Sequence, residues 1–208
     1  MLKLKRRMHK DIAYAQDLIV SELYKIFPKT VIHGGTAIWR CYKGNRFSED
    51  IDIYIRKDKE KIDKLFENLK KPGFLITKKR IKENSLYSTL IFNRTVVRLE
   101  AIFKDKQGII KEYENSDGQL TTVYTLTPED LVIEKISAYQ NRKKIRDLYD
   151  IFFLLRYVKD EKNIRYHIRK FIADIPKPDD EENLKTIILS PPVPSIKEMI
   201  DYITRWAE

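Results

Sequence analysis

Apolar residues recur every three to four positions between residues 8 and 27, as Ile12, Ala15, Ile19, Leu23 and Ile26, with no glycine or proline before Pro28. That spacing predicts a helix with one buried stripe. The period then changes. Thr30-Val31-Ile32 is a short β-branched run, Thr36 to Tyr42 returns to helical spacing, and Arg46 to Ile55 alternates. In an extended strand Phe47, Ile51, Ile53 and Ile55 would face a core, while Arg46, Ser48, Asp50, Asp52 and Tyr54 share the opposite face. From Lys57 to Leu69, Ile62, Leu65, Phe66 and Leu69 mark another helix, which Lys71-Pro72-Gly73 ends. Residues 74–80, 86–92 and 95–103 read as strands, with Asn93-Arg94 as the turn between the last two. A mixed start followed by a meander predicts an α+β fold.

Between residues 104 and 126 the pattern weakens into Gly108, Gly118 and the polar run Glu114-Asn115-Ser116-Asp117, followed by Val123-Tyr124-Thr125-Leu126. The expected division therefore falls here, with a first domain at 1–120 and a C-terminal helical lobe at 121–208. Thr127-Pro128-Glu129-Asp130 is a helix start, with a capping threonine, proline at the first helical position and acids in the first turn. No glycine or proline interrupts Leu131 to Val158, so one continuous helical stretch is expected. Its segment Ile151-Phe152-Phe153-Leu154-Leu155 is apolar nearly all round and belongs in a core. An amphipathic helix then runs to about Ile175. The proline-bearing links 176–182 and 191–194 precede a last helix through Trp206.

Composition narrows the partners. A formal charge of +10 and a pI near 9.4 suit a polyanion or an acidic protein, or else reflect surface ion-pair networks. The basic start, Lys3, Lys5, Arg6, Arg7 and Lys10, is a place for RNA phosphates or simply a solvated helix end. With Cys41 alone, an intramolecular disulfide and a cysteine-based zinc site are excluded. No apolar run of signal-peptide or membrane-spanning length is present, so a cytoplasmic location is expected.

The chemistry concentrates between residues 33 and 55. Asp50 and Asp52, about 6.5 Å apart along one strand face, offer carboxylate oxygens of the kind a hard divalent cation such as Mg²⁺ takes. Gly34 and Gly35, between a β-branched run and a helix start, form either an ordinary turn or a cradle whose backbone N–H groups receive phosphate. Further on, Glu100 stands on the mixed face of the strand 95–103, where the ordinary alternative is an exposed pair with Arg98 or Arg80. In a continuous helix Lys135, Ala138, Arg142, Arg146 and Tyr149 would share a face. Such a face holds a triphosphate, or else is a basic surface on which Asp147 and Asp150 make local ion pairs. His9, His33 and His167 make no metal motif, though His33 lies beside the glycines.

Three of these segments together resemble one family. Gly34-Gly35-Thr36-Ala37-Ile38, then Arg46-x-Ser48-x-Asp50-Ile51-Asp52, then Lys135 ahead of Arg146-Asp147-Leu148-Tyr149-Asp150 resemble the AbiEii-like nucleotidyltransferases. These are toxins of type IV toxin-antitoxin systems within the DNA polymerase β-like superfamily. The resemblance implies a polymerase β-like nucleotidyltransferase core followed by a helical lobe. It implies Mg²⁺ on Asp50, Asp52 and Glu100, with Glu100 standing where the family more often has aspartate. Gly34, Gly35, Thr36, Arg46, Ser48, Lys135, Arg142 and Arg146 would contact a nucleoside triphosphate, and Lys135 and Asp147 would assist catalysis. The implied acceptor is the tRNA 3′ end, and the implied antagonist a cognate antitoxin. Transfer to a protein or small molecule, γ-phosphoryl transfer, and a catalytically silent RNA-binding module on the same fold are the alternatives.

Overall fold

In a computed structural model the periodicities resolve into two compact units, which together describe Leu4 and residues 6–208. Lys3 and Lys5 of the basic start lie outside the described residues. The first unit holds α1 (Arg7–Ile26), β1 (Val31–His33), α2 (Gly34–Cys41), β2 (Ile51–Ile55), α3 (Lys59–Lys70) and β3 (Leu75–Ile81). It continues with β4 (Ser85–Phe92), β5 (Thr95–Phe103), β6 (Ile109–Glu114) and β7 (Leu120–Thr125). Its strands form one mixed sheet in the order β3-β4-β5-β2-β1-β7-β6, with β2 parallel to β5 and β1 parallel to β7. The α+β expectation holds.

One face of the sheet is the core of this unit. Ile51, Ile53, Ile55, Leu90, Leu99 and Ala101 are all but inaccessible and lie beneath α1 and α3, whose own stripes include Ile19, Leu23, Leu65 and Phe66. Arg40 of α2 ties the layer together. Its buried guanidinium donates to the Ala13 carbonyl at 2.9 Å, to Asp17 at 3.0 Å and to the Glu114 carbonyl at 2.9 Å. The helix α1 and the strand β6 thus share one cation of α2 through its two terminal nitrogens, which give buried acceptors a partner they would otherwise lack, while its Nε stays buried without one among the described residues.

Two expectations for this unit change. The strand of the Asp50 motif is shorter than its alternation suggests, because side chains take the backbone groups that a ladder would use: Gln16 donates to the Ser48 carbonyl at 3.0 Å, and Thr36 Oγ1 donates to the Asp50 carbonyl. Within the sheet only Ile51–Ile55 of that stretch is paired. The weakly patterned stretch after residue 104 is a hairpin, β6–β7, so the expected division after residue 120 falls inside a strand. Asp17 accepts from Ser116 N at 2.7 Å and from Tyr113 Oη at 3.2 Å, which anchors a turn that local composition reads as a linker.

The second unit comprises residues 44–46 and 126–208. It contains α4 (Pro128–Arg142), α5 (Ile145–Leu154), α6 (Glu161–Ile172), α7 (Leu184–Ile187) and α8 (Ile196–Ala207). Thr127 caps α4 through Asp130 N, with proline in the first turn as expected, and Ser195 and Glu198 close a reciprocal capping box on α8. The continuous helix expected over 131–158 is broken. Lys143 adopts the left-handed region (φ 48°), and the new helix start is capped from afar, since Asp180 accepts from Ile145 N at 2.8 Å. No glycine announces that corner, because the acidic link 176–182 supplies the capping group. No helix among the described residues is long and apolar enough to cross a membrane.

Candidate active site

Register carries the site. Across five strands of the first unit, Arg80 of β3 pairs with Tyr87 of β4, Tyr87 with Glu100 of β5, Glu100 with Asp52 of β2, and Asp52 with His33 of β1. Residues in register share a sheet face, so these five side chains form one polar row on the face opposite the isoleucine core. The alternation that buries Ile51, Ile53, Leu99 and Ala101 thus forces Asp52 and Glu100 up side by side. Their strands stand about 4.8 Å apart.

Gly34 brings the start of α2 against Asp52. A Cβ added at Gly34 would lie 2.3 Å from Asp52 Oδ2 and 3.1 Å from Asp52 Cβ, and the backbone there has φ +67°. Glycine is required on both counts. His33 precedes it at the helix N-cap and supplies no side-chain cap. Its ring instead stacks on Tyr54, with centroids 4.1 Å apart and planes at 19°. The sequence therefore places the positive end of a short helix, a glycine turn and a carboxylate within one contact distance. Gly34→Ala is expected to displace Asp52, lowering any transfer activity at least about 100-fold and stability by about 1–2 kcal/mol. Thermal melts run beside a turnover assay check this; ordinary activity in the Gly34→Ala variant would show that the approach has no functional weight.

Asp50 is engaged differently. Its two oxygens accept from Arg98 Nε and Nη2 at 2.7 and 2.9 Å, a bidentate pair that also raises the Arg98 pKa. Tyr87 hydrogen-bonds the same guanidinium. Among the described residues no three carboxylate, histidine or cysteine groups converge on a single point that would enclose a cation. The donor chemistry nevertheless suits a hard divalent ion, since Asp52 and Glu100 are in register side by side and Asp50 stands two residues before Asp52 along the chain. Asp52, Glu100 and His33 line a cavity of about 390 Å³, which three cations of the β3 edge also line: Lys78, Arg80 and Lys82.

The remaining predicted residues lie in the second unit or outside the strand face. Ser48 is half-buried before β2. Arg46 leaves that strand altogether. It bridges Ile188 in the helical unit, and its guanidinium binds Asp150 at 2.5 and 2.6 Å while only 3% exposed. Lys135 reaches Asp147 at 3.1 Å and Asp150 at 2.8 Å, and Arg142 chelates Asp147 at 2.7 and 2.8 Å. Three cations thus surround two fully buried carboxylates. Burial works against the charge on Asp147, yet the Arg142 fork and Lys135 outweigh it and bring that carboxyl down to about 2. The expected common face of Lys135, Arg142 and Arg146 does not form, because α4 ends at Arg142. Arg146 is half-buried and has no ion pair among the described residues.

Sequence reasoning missed Arg98 as the partner of Asp50, and it missed the basic edge. The second was legible as Lys78-x-Arg80-x-Lys82 in a strand, an alternation that puts three cations on one face. What was lacking was the register that carries that face to Asp52.

The chain matches the family model described as the nucleotidyl transferase AbiEii toxin of type IV toxin-antitoxin systems over residues 21–198. Among solved structures it is similar to JHP933 from Helicobacter pylori, at 18% identity and a TM-score of 0.65, covering 97% of this chain and 91% of that one. It is also similar to MenT4, a nucleotidyltransferase toxin from Mycobacterium tuberculosis, at 18% identity and a TM-score of 0.63, covering 99% and 90%. Identity at that level carries the fold alone. No curated protein sequence matches. The family model spans most of the chain and includes the glycine turn, both aspartates, Glu100 and the Lys135 cluster. This chain belongs to the AbiEii nucleotidyltransferase toxin family.

Proposed function

We propose that the protein transfers a nucleotidyl group from a nucleoside triphosphate to the 3′ end of tRNA in a Mg²⁺-dependent reaction, and that a cognate antitoxin restrains it. The observation that carries the reading is the contact between the Gly34 turn and Asp52, with Glu100 in register beside it. A phosphate-receiving helix start and a carboxylate pair are the two halves of such a site, and they abut.

In this reading Gly34, Gly35 and Thr36 receive the β- and γ-phosphates on backbone N–H groups. Asp52 and Glu100 would hold Mg²⁺, with Asp50, here bound to Arg98, as the third carboxylate that could supply an oxygen. When bound, the ion neutralises charge building on the phosphoryl oxygens and the leaving pyrophosphate. Glu100, at the edge of the pair nearer the open sheet, takes the proton of the attacking hydroxyl. Lys135, Asp147, Arg142 and Arg46 act by holding the α4–α5 corner of the helical unit. Arg146, half-buried and outside that ion-pair cluster, keeps the phosphate-binding role that the family resemblance implies for it.

The test incubates purified protein with Mg²⁺ and total tRNA, with each nucleoside triphosphate labelled at the α-phosphate and, separately, ATP and GTP labelled at the γ-phosphate. α-Label on RNA that disappears in Asp50→Ala is the expected result. γ-Label would assign phosphoryl transfer to the same residues. RNA that stays unlabelled in every arm, with label found on protein or a small molecule, would reject the tRNA acceptor.

A further inference from the structure

The start of α2 abuts Asp52 from the β1 side of the sheet. A triphosphate seated there occupies that side, and in-line displacement requires the attacking hydroxyl opposite the leaving pyrophosphate. An acceptor must then approach over the other side of Asp52, across β5, β4 and β3. That path is built for a polyanion. Lys78 and Arg80 share the face of Asp52 through the register Lys78–Thr89–Arg98 and Arg80–Tyr87–Glu100, and Lys82, just past the strand end, lines the same cavity.

Basic residues on an edge strand also protect it from pairing with other chains, but that role does not require them to converge. Lys79 illustrates the difference. It faces the opposite side, bound to Asp63 at 2.5 Å and lying 4.7 Å from the Phe66 ring centroid. Its neighbours instead enter the cavity of Asp52 and Glu100. Between rail and carboxylates stands Tyr87, half-buried, with Lys78 Nζ 4.8 Å from its ring centroid. An aromatic on an open sheet face flanked by cations is how unpaired bases and their phosphates are held.

We infer that Lys78, Arg80 and Lys82 form a phosphate rail which, with Tyr87, binds an unpaired nucleic-acid 3′ end and leads its terminal hydroxyl toward Asp52 and Glu100. The inference rests on the nucleotidyl-transfer reading and adds the acceptor subsite to it. Roughly 14 Å separates β3 from β2 across three strand spacings, a gap that a short unpaired overhang spans and a blunt duplex does not.

Fluorescence anisotropy decides it with a labelled RNA hairpin bearing an unpaired 3′ overhang, the same hairpin made blunt, and an acidic poly-glutamate peptide of matched charge. The proteins are the wild type, the triple variant Lys78→Gln/Arg80→Gln/Lys82→Gln, and the charge-preserving Lys78→Arg/Arg80→Lys/Lys82→Arg. The wild type should prefer the overhang. The glutamine variant should bind it at least about tenfold more weakly at about 50 mM salt, with the log–log salt slope shallower by about 2. The charge-preserving variant should retain most of the affinity. In the labelling assay the glutamine variant should raise KM for RNA and leave KM for the nucleotide near wild type. Unchanged RNA affinity in the glutamine variant overturns the rail, as does equal affinity for blunt and overhanging RNA, or preference for the acidic peptide. If transfer proceeds while the rail proves inert, only this inference falls. Rail-dependent binding with no transfer to any RNA defeats the reading of RNA as the acceptor and, with it, the acceptor role of the rail.

Discussion

Asp52→Asn should reduce nucleotide transfer by about 1,000-fold or more while leaving the fold intact. The magnitude follows from what the side chain is asked to supply, since a carboxylate that holds a divalent ion against phosphoryl oxygens contributes several kcal/mol of charge stabilisation, at one decade per 1.36 kcal/mol. The intact fold follows from the sheet. Asp52 sits on the polar row beside Glu100, and a neutral isostere there relieves like-charge repulsion without opening a cavity. Stability should hold or rise slightly. The discriminating measurement pairs turnover with a thermal melt, and full turnover in the asparagine variant would remove Asp52 from the chemistry. Gly34→Ala disturbs the same carboxylate through the backbone, so the two variants together separate loss of charge from loss of position.

Asp150→Ala should cost about 3–5 kcal/mol, because it strips the shared acceptor from Arg46 and Lys135 and leaves two buried cations short of a counter-charge. For a chain of this length that is a fall of roughly 10 °C in the melting temperature. The cluster also has a pH signature. The Asp147 carboxyl, at about 2, lies below its usual 3.8. Its contribution, about 2 kcal/mol, is therefore complete above pH 3.8 and is lost as pH falls through about 2. Acid titration of the wild type should show the helical signal weakening in that window, and Arg142→Gln should move the loss to higher pH. An Asp150→Ala protein that melts with the wild type would mean that the cluster is solvated in solution and carries no structural weight.

Much of the sheet could be read locally. The helices α1 and α3, the strands β3 to β5 and the capped start of α4 followed from period, turn residues and caps, each set by a few neighbours along the chain. The Gly34-Gly35 turn and the Asp50-x-Asp52 pair were visible for the same reason. The β6–β7 hairpin was not, since its turn is anchored by Asp17, 99 positions earlier. The break at Lys143 was hidden likewise, because its cap comes from Asp180.

By itself, the sequence determined which residue types could do chemistry here and which faces of their strands they occupy, because alternation and helical period are properties of the local chain. The partners of those residues were decided only by the tertiary structure. Arg46 looks like a neighbour of Asp50 in a strand, yet it folds into the helical unit and is consumed by Asp150, 104 positions away. Arg98, which in isolation is one exposed arginine among many, becomes the partner of Asp50. Lys78, Arg80 and Lys82 acquire a direction only through register across β4 and β5. Charge is written in the sequence, but an ion pair depends on distances between strands that meet from afar, and that is a property of packing.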